Sequence, residues 1–150
     1  MSHFPDTSFL YALYRNQPSS PAADQYMVAL QSSLRVSSLL LLEFRQSVRL
    51  QIRLHLQDRT KGFSSSEGTQ MLRDLQADIS SGTLSSLPVD WADVHHLAEG
   101  LSAKYTPTKG YRFADILHLA TALHLGTSEF LTFDGQQKKL ATAEGLHVPW

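Results

Sequence analysis

The sequence predicts an α/β protein in which helices cover both faces of a mainly parallel sheet. Three observations predict it. Short apolar or β-branched segments alternate with longer helical ones along the whole chain. Acids stand at junctions where a strand hands over to a helix, at Asp6 and Asp134. A further acid, Asp115, falls on the apolar face of the best amphipathic helix. In sheets of this kind the working site lies beyond the carboxyl ends of the strands.

Taken in order, residues 3–6 read as a short strand and 9–15 as a helix, followed by a turn at Pro18–Pro21 and a helical stretch over 22–34. Residues 34–37 carry β-branched Val36 and read as a strand. Ser38 is placed to cap a long helix from Leu39 to about Gln57. The segment 58–69, with Gly62, Gly68 and three consecutive serines, reads as a loop. Met71, Leu72, Leu75 and Ile79 then recur at helical spacing over 70–80. Residues 84–89 suit a strand that Pro88 weakens, Asp90 caps a helix to about Tyr105, and 106–110 form a turn. A helix over 112–125 ends at Gly126, a strand spans 130–133, a helix spans 135–144, and a final strand covers 146–148.

The chain has 150 residues, 42% of them hydrophobic and 18% charged, which fits one globular domain over 1–150. Its lack of cysteine excludes disulfides, thiolate chemistry and zinc–thiolate sites. No targeting segment is visible and the longest purely apolar run, Leu39–Leu42, is far short of the ~20 residues a membrane span needs. The expectation is therefore a cytoplasmic protein with no membrane partner. A net charge of −1 argues against a passive nucleic-acid coat, but less against an enzyme whose positive charge comes with a bound metal.

Each acid has a plain structural explanation beside the chemical one. Asp6 and Asp134 suit helix caps. Glu43 lies one turn inside its helix, where its side chain leans back toward the strand ends and favours the helix dipole. Asp115, at ~100° per residue, shares a face with Leu119, Ala122 and Leu123; an acid there needs a partner, either Arg112 three residues earlier or a cation. Four converging carboxylates cannot all ionise without counter-charge. Oxygen ligands of this kind suit magnesium or manganese, and the adjacent His95 and His96 do not face each other to form a competing cluster.

At these residues the chain resembles the PIN-domain family, and within it the VapC-like toxins of bacterial toxin–antitoxin pairs. The matching segments are Asp6-Thr7-Ser8, Val36-Ser37-Ser38-Leu39 leading to Glu43, the stretch from Asp115 through His118 to Ala122, Leu131-Thr132-Phe133-Asp134, and Gly145-Leu146-His147-Val148. The resemblance implies a three-layer α/β/α sandwich with an about five-stranded, mainly parallel sheet, and a magnesium- or manganese-dependent ribonuclease. It implies that Asp6, Glu43 and Asp115 are the core metal-binding and catalytic acids and Asp134 a more variable fourth. Thr7, Ser8 and Thr132 match hydroxyl positions that hold a water or a phosphate oxygen, and Arg112 offers a partner for phosphate or acid. An ion in such a site acidifies its bound water for in-line attack on a phosphodiester, and the products implied carry 5′-phosphate and 3′-hydroxyl ends. An antitoxin partner and a homodimer are implied as well. Two departures stand out: Pro5 precedes Asp6 in what should be a central strand, and Gly135 follows Asp134 where a basic residue is common in relatives.

Arg45, Arg49 and Arg53 form one basic stripe, centred roughly 120° around the helix from Glu43. It reads first as a solvated face, then as a partner contact, and then as an RNA path. Alternative functions are a PIN nuclease in housekeeping RNA processing and a catalytically silent PIN-like binding module; the latter predicts loss of a core acid, and none is missing. A phospho-receiver domain would need a lysine after the last strand, which the chain lacks.

Overall fold

The computed structural model describes residues 2–150. In chain order the elements are β1 (His3–Pro5), α1 (Thr7–Tyr14), α2 (Ser20–Ala29), β2 (Leu34–Val36), α3 (Ser38–Gln57), α4 (Ser65–Ser81), β3 (Leu84–Ser86), α5 (Trp91–Lys109), α6 (Phe113–His124), β4 (Glu129–Leu131) and α7 (Gly135–Ala143). Both ladders are parallel: β1 pairs with β4 in the register Phe4 to Phe130, and β2 pairs with β3 in the register Arg35 to Ser85. Helices α1 to α4 pack on one another, as do α5 to α7, giving the α/β/α layering expected.

Among the described residues four strands form rather than five, and two prolines limit the sheet. The segment 146–148 contributes a single bridge, Glu129 to His147, in which Phe130 N–H donates to His147 O and His147 N–H to Ser128 O. Pro149 follows and has no N–H to extend the ladder. Within β1, alternate N–H groups point to opposite neighbours. Asp6 N–H donates to Leu131 O of β4, so the nitrogen of Pro5 faces β2, where it can donate nothing. No ladder joins β1 and β2; instead Arg35 N–H of β2 donates to the imidazole Nε2 of His3. Pro5 therefore costs the sheet a seam without displacing β1 from its centre.

The core takes Phe4, Leu34, Val36, Leu84, Phe130 and Leu131 from the strands, with Phe9, Leu10, Leu40, Phe44 and Val48 from α1 and α3. In α6 every residue from Ile116 to Ala122 is buried, as expected of a helix enclosed on all sides. Several boundaries moved for identifiable reasons. The cap of α3 is Ser37, whose hydroxyl accepts from Leu40 N–H, not Ser38. The serine run expected in a loop opens α4, because Ser64 Oγ accepts from Glu67 N–H. Helix α5 continues through Pro107, losing one hydrogen bond near its end, and closes where Gly110 N–H donates to Thr106 O.

The α3–α4 link is pinned by two glycines. Gly62 has φ +59°, and a Cβ there would lie 2.1 Å from Gln51 O of α3; at Gly68 a Cβ would lie 2.5 Å from Ile52 Cδ1. Gly62→Ala is expected to lose about 2 kcal/mol or more in urea unfolding, because both the left-handed backbone and the clash with main chain oppose it.

Candidate active site

Asp6 is the N-cap of α1, and it is buried. Its carboxylate accepts from Ser8 Oγ (2.6 Å), from Phe9 N–H (3.2 Å) and from Thr132 Oγ1 (2.5 Å), the last being 126 residues away. Ser8 Oγ in turn accepts from Phe133 N–H, and Thr132 Oγ1 from Asp134 N–H. Each hydroxyl has one proton, and both protons go to Asp6. The expected hydroxyls are thus committed to holding a carboxylate; Thr132 is buried and does not reach the cavity.

Glu43, from the second turn of α3, has both oxygens engaged. Thr7 Oγ1 donates to Oε1 at 2.9 Å, and Oε2 meets Nε2 of the buried His118. His118 lies three residues after Asp115 on α6, so one helix contributes both to the same place. Its other nitrogen, Nδ1, is buried without a partner. Asp115 pairs with Arg112 (Oδ2 to Nε, 3.3 Å), and Gln137 Nε2 donates to its backbone oxygen. Asp134 caps α7, with Oδ1 accepting from Gln136 and Gln137 N–H.

All four acids line one cavity of about 200 Å³, together with Thr7, Ser8, Ser47, Arg112 and His118. Four elements widely separated in sequence thus deliver carboxylates to the carboxyl ends of β1 and β4. His118 is the residue the sequence reading passed over. It stood inside the quoted Asp115–Ala122 stretch, and its helical offset from Asp115 within an apolar run was the available signal. Among the described residues no three Asp, Glu or His side chains converge tightly enough to grip one ion. The donor chemistry nevertheless fits a hard divalent cation: carboxylates and hydroxyls surround the space, and the one imidazole is already spent on Glu43.

The two best-held acids are tuned in opposite directions. Burial raises the Asp6 carboxyl from its ordinary 3.8 to about 6, against the opposing pull of its hydrogen bonds from Ser8, Thr132 and Phe9. Burial would raise Glu43 too, but the contact with His118, assisted by Thr7 and the Arg112 charge, outweighs it and lowers the carboxyl below its usual value. Asp115 in turn holds the Arg112 guanidinium more firmly charged.

Comparisons with known proteins agree with this fold. The family model for the PIN domain matches residues 3–143. No curated protein matches the chain. Among solved structures, VapC20 of Mycobacterium tuberculosis, described as a sarcin–ricin loop cleaving toxin, aligns with a TM-score of 0.66 at 18% identity, covering 97% of each chain. VapBC2 from Rickettsia felis, bound to a DNA fragment from their promoter, aligns at 0.65 and 16% identity, covering 99% of this chain and 97% of that one. FitAcB from Neisseria gonorrhoeae aligns at 0.64 and 18% identity, with coverages of 97% and 95%. The fold is the α/β/α architecture of these neighbours. The chain belongs to the PIN domain family, whose members are nucleases that generally use divalent metals.

The raised Asp6 carboxyl carries a stability cost. Because the folded protein holds that proton to higher pH than the unfolded chain, the cost is absent below about pH 4 and is incurred as pH rises through about 6. The parent is therefore expected to lose stability relative to Asp6→Asn, which has no carboxyl to ionise, as pH rises from about 4 through about 6. Urea unfolding across that range, without divalent ions, checks it; equal curves at every pH would contradict it.

Proposed function

We propose that residues 1–150 form one metal-dependent ribonuclease domain, acting on RNA phosphodiesters as the toxin of a type II toxin–antitoxin pair. The observation that carries the reading is the delivery of Asp6, Glu43, Asp115 and Asp134, from four separate elements, to one cavity. The likeness in fold to VapC20 and VapBC2 supports the toxin assignment and an antitoxin partner. A homodimer and a cytoplasmic location are part of the same reading; among the described residues no helix is long and apolar enough to cross a membrane.

In this mechanism the four acids hold magnesium or manganese. When bound, the cation supplies positive charge to the scissile phosphate and acidifies a water for attack. The remaining work belongs to the chain. Thr7 and His118 fix both oxygens of Glu43, so its carboxylate meets the cavity in one orientation. Ser8, Thr132 and the Phe9 N–H do the same for Asp6. Arg112, 80% exposed at the mouth, stands beside Asp115 and is free to turn toward a phosphate oxygen as substrate enters.

Purified protein is expected to cleave single-stranded RNA with magnesium or manganese and to stop when chelator is added. Asp115→Asn should lower the rate by on the order of a hundredfold or more while the melting temperature holds. Full activity in that variant, or cleavage without metal, would sink the mechanism. Relief of toxicity by a small protein encoded next door would separate a toxin from a housekeeping nuclease. His118→Ala should cost about 10- to 100-fold in metal affinity or activity, as loss of a ligand-orienting group does, with partial recovery in His118→Gln, which still offers an N–H to Glu43. Manganese titration by calorimetry reads the effect directly.

A further inference from the structure

We propose that the RNA strand leaves the acidic cavity along the end of α1, where Arg15 holds a flanking backbone phosphate, and not along the arginine stripe of α3. The proposal rests on the ribonuclease reading and specifies how that site takes its substrate.

Three cavities follow one another through shared lining residues. The acidic one shares Ser8 and Asp134 with a second, of about 570 Å³, which also reaches Arg15 and Asn16. That one shares Arg15 and Asn16 with a third, of about 610 Å³, whose far wall holds the serine-rich start of α4 and Arg73. Shared walls thus set these cavities in series, from the carboxylates past the turn after α1. Neither Arg45, Arg49 nor Arg53 lines any part of the series.

The charge along the series changes sign. Its acidic end sets four carboxylates against Arg112; its middle balances Asp134 with Arg15; its far end sets Arg15 and Arg73 against Glu67. A polyanion threaded through it meets Arg15 as the first fixed cation on this side of the acids. The backbone of Arg15 lies about 13 Å from that of Asp6 along the axis of α1, farther than one phosphate stands from the next, which suits contact with a flanking phosphate.

Arg15 is also held ready. Its Nε donates to Glu67 Oε1 at 2.9 Å, and its guanidinium lies 5.0 Å over the Phe63 ring. Its two terminal amino groups have no partner among the described residues. A planar fork fixed by its face and one edge offers the other edge to a phosphate with little further loss of rotamer entropy.

Binding of a fluorescent single-stranded oligoribonucleotide, followed by anisotropy across a salt series with manganese present, tests the path. The protein used is the full chain carrying Asp115→Asn, so that substrate is not consumed. Arg15→Gln in that background is expected to weaken binding about tenfold and to lower the salt slope by about one ion's worth; Arg49→Gln should change neither. Arg73→Gln, an exposed change on the same path, decides the matter in the same direction if Arg15→Gln does not fold. Unchanged affinity and slope in the Arg15 and Arg73 variants, or the loss appearing in Arg49→Gln instead, overturns the path. Failure of the Asp115-intact protein to cleave the same oligonucleotide would instead overturn the ribonuclease reading on which the path rests.

Discussion

The molecule depends on the pairing of its first strand with its fourth. Three residues of β1 lie parallel to three of β4, and the contact is extended by Asp6 N–H on Leu131 O and by Thr132 Oγ1 on the Asp6 carboxylate. Through it the beginning and the end of the chain share one core, in which Phe4 and Phe130 are both fully buried. It also carries the aromatic stack of Phe9, Phe133 and Trp150, where the Trp150 indole N–H donates to Thr132 O. The junction also fixes Asp6 and Asp134, two of the four acids of the cavity, relative to each other.

Within the cavity, order comes from hydrogen-bond donors. Hydroxyls of Thr7, Ser8 and Thr132 and one imidazole meet the carboxylates, while Arg112 stands at the exposed edge. The hydroxyls orient an acid without cancelling its charge, so negative potential remains available to a cation. The burial that raises Asp6 shows what this costs the fold. A stable protein would place a neutral residue there; keeping an ionisable one is the usual signature of a site under functional demand.

Much of this was legible in the sequence, because the strongest signals were local. Asp134 and Asp90 cap helices as their positions promised, and Asp115 is paired with Arg112, the plain structural alternative weighed for it. What the sequence could not display were relations between distant segments. Pro5 looked incompatible with a central strand, yet only one of its two neighbours needed its N–H, and that depends on which way the strand faces. His118 was visible as a letter in an apolar run, but its partner Glu43 lies 75 residues earlier. The start of α4 is the opposite case: Ser64 and Glu67 spelled a helix cap that the accompanying serines and glycines obscured.

The long separation between β1 and β4 also bears on how the protein comes into being. Synthesis proceeds from the N-terminus, so β1 emerges with no ladder partner and waits until residues 129–131 are made. Contacts of such high order form late, since the loop must close before its ends are rewarded. A nascent chain that has just passed residue 124 already contains Asp6, Glu43 and Asp115, but nothing yet holds the first of them beside the others. The acidic cavity is therefore completed only once β4 and Asp134 have been made, and translation products that stop before them carry three of the acids without the enclosure.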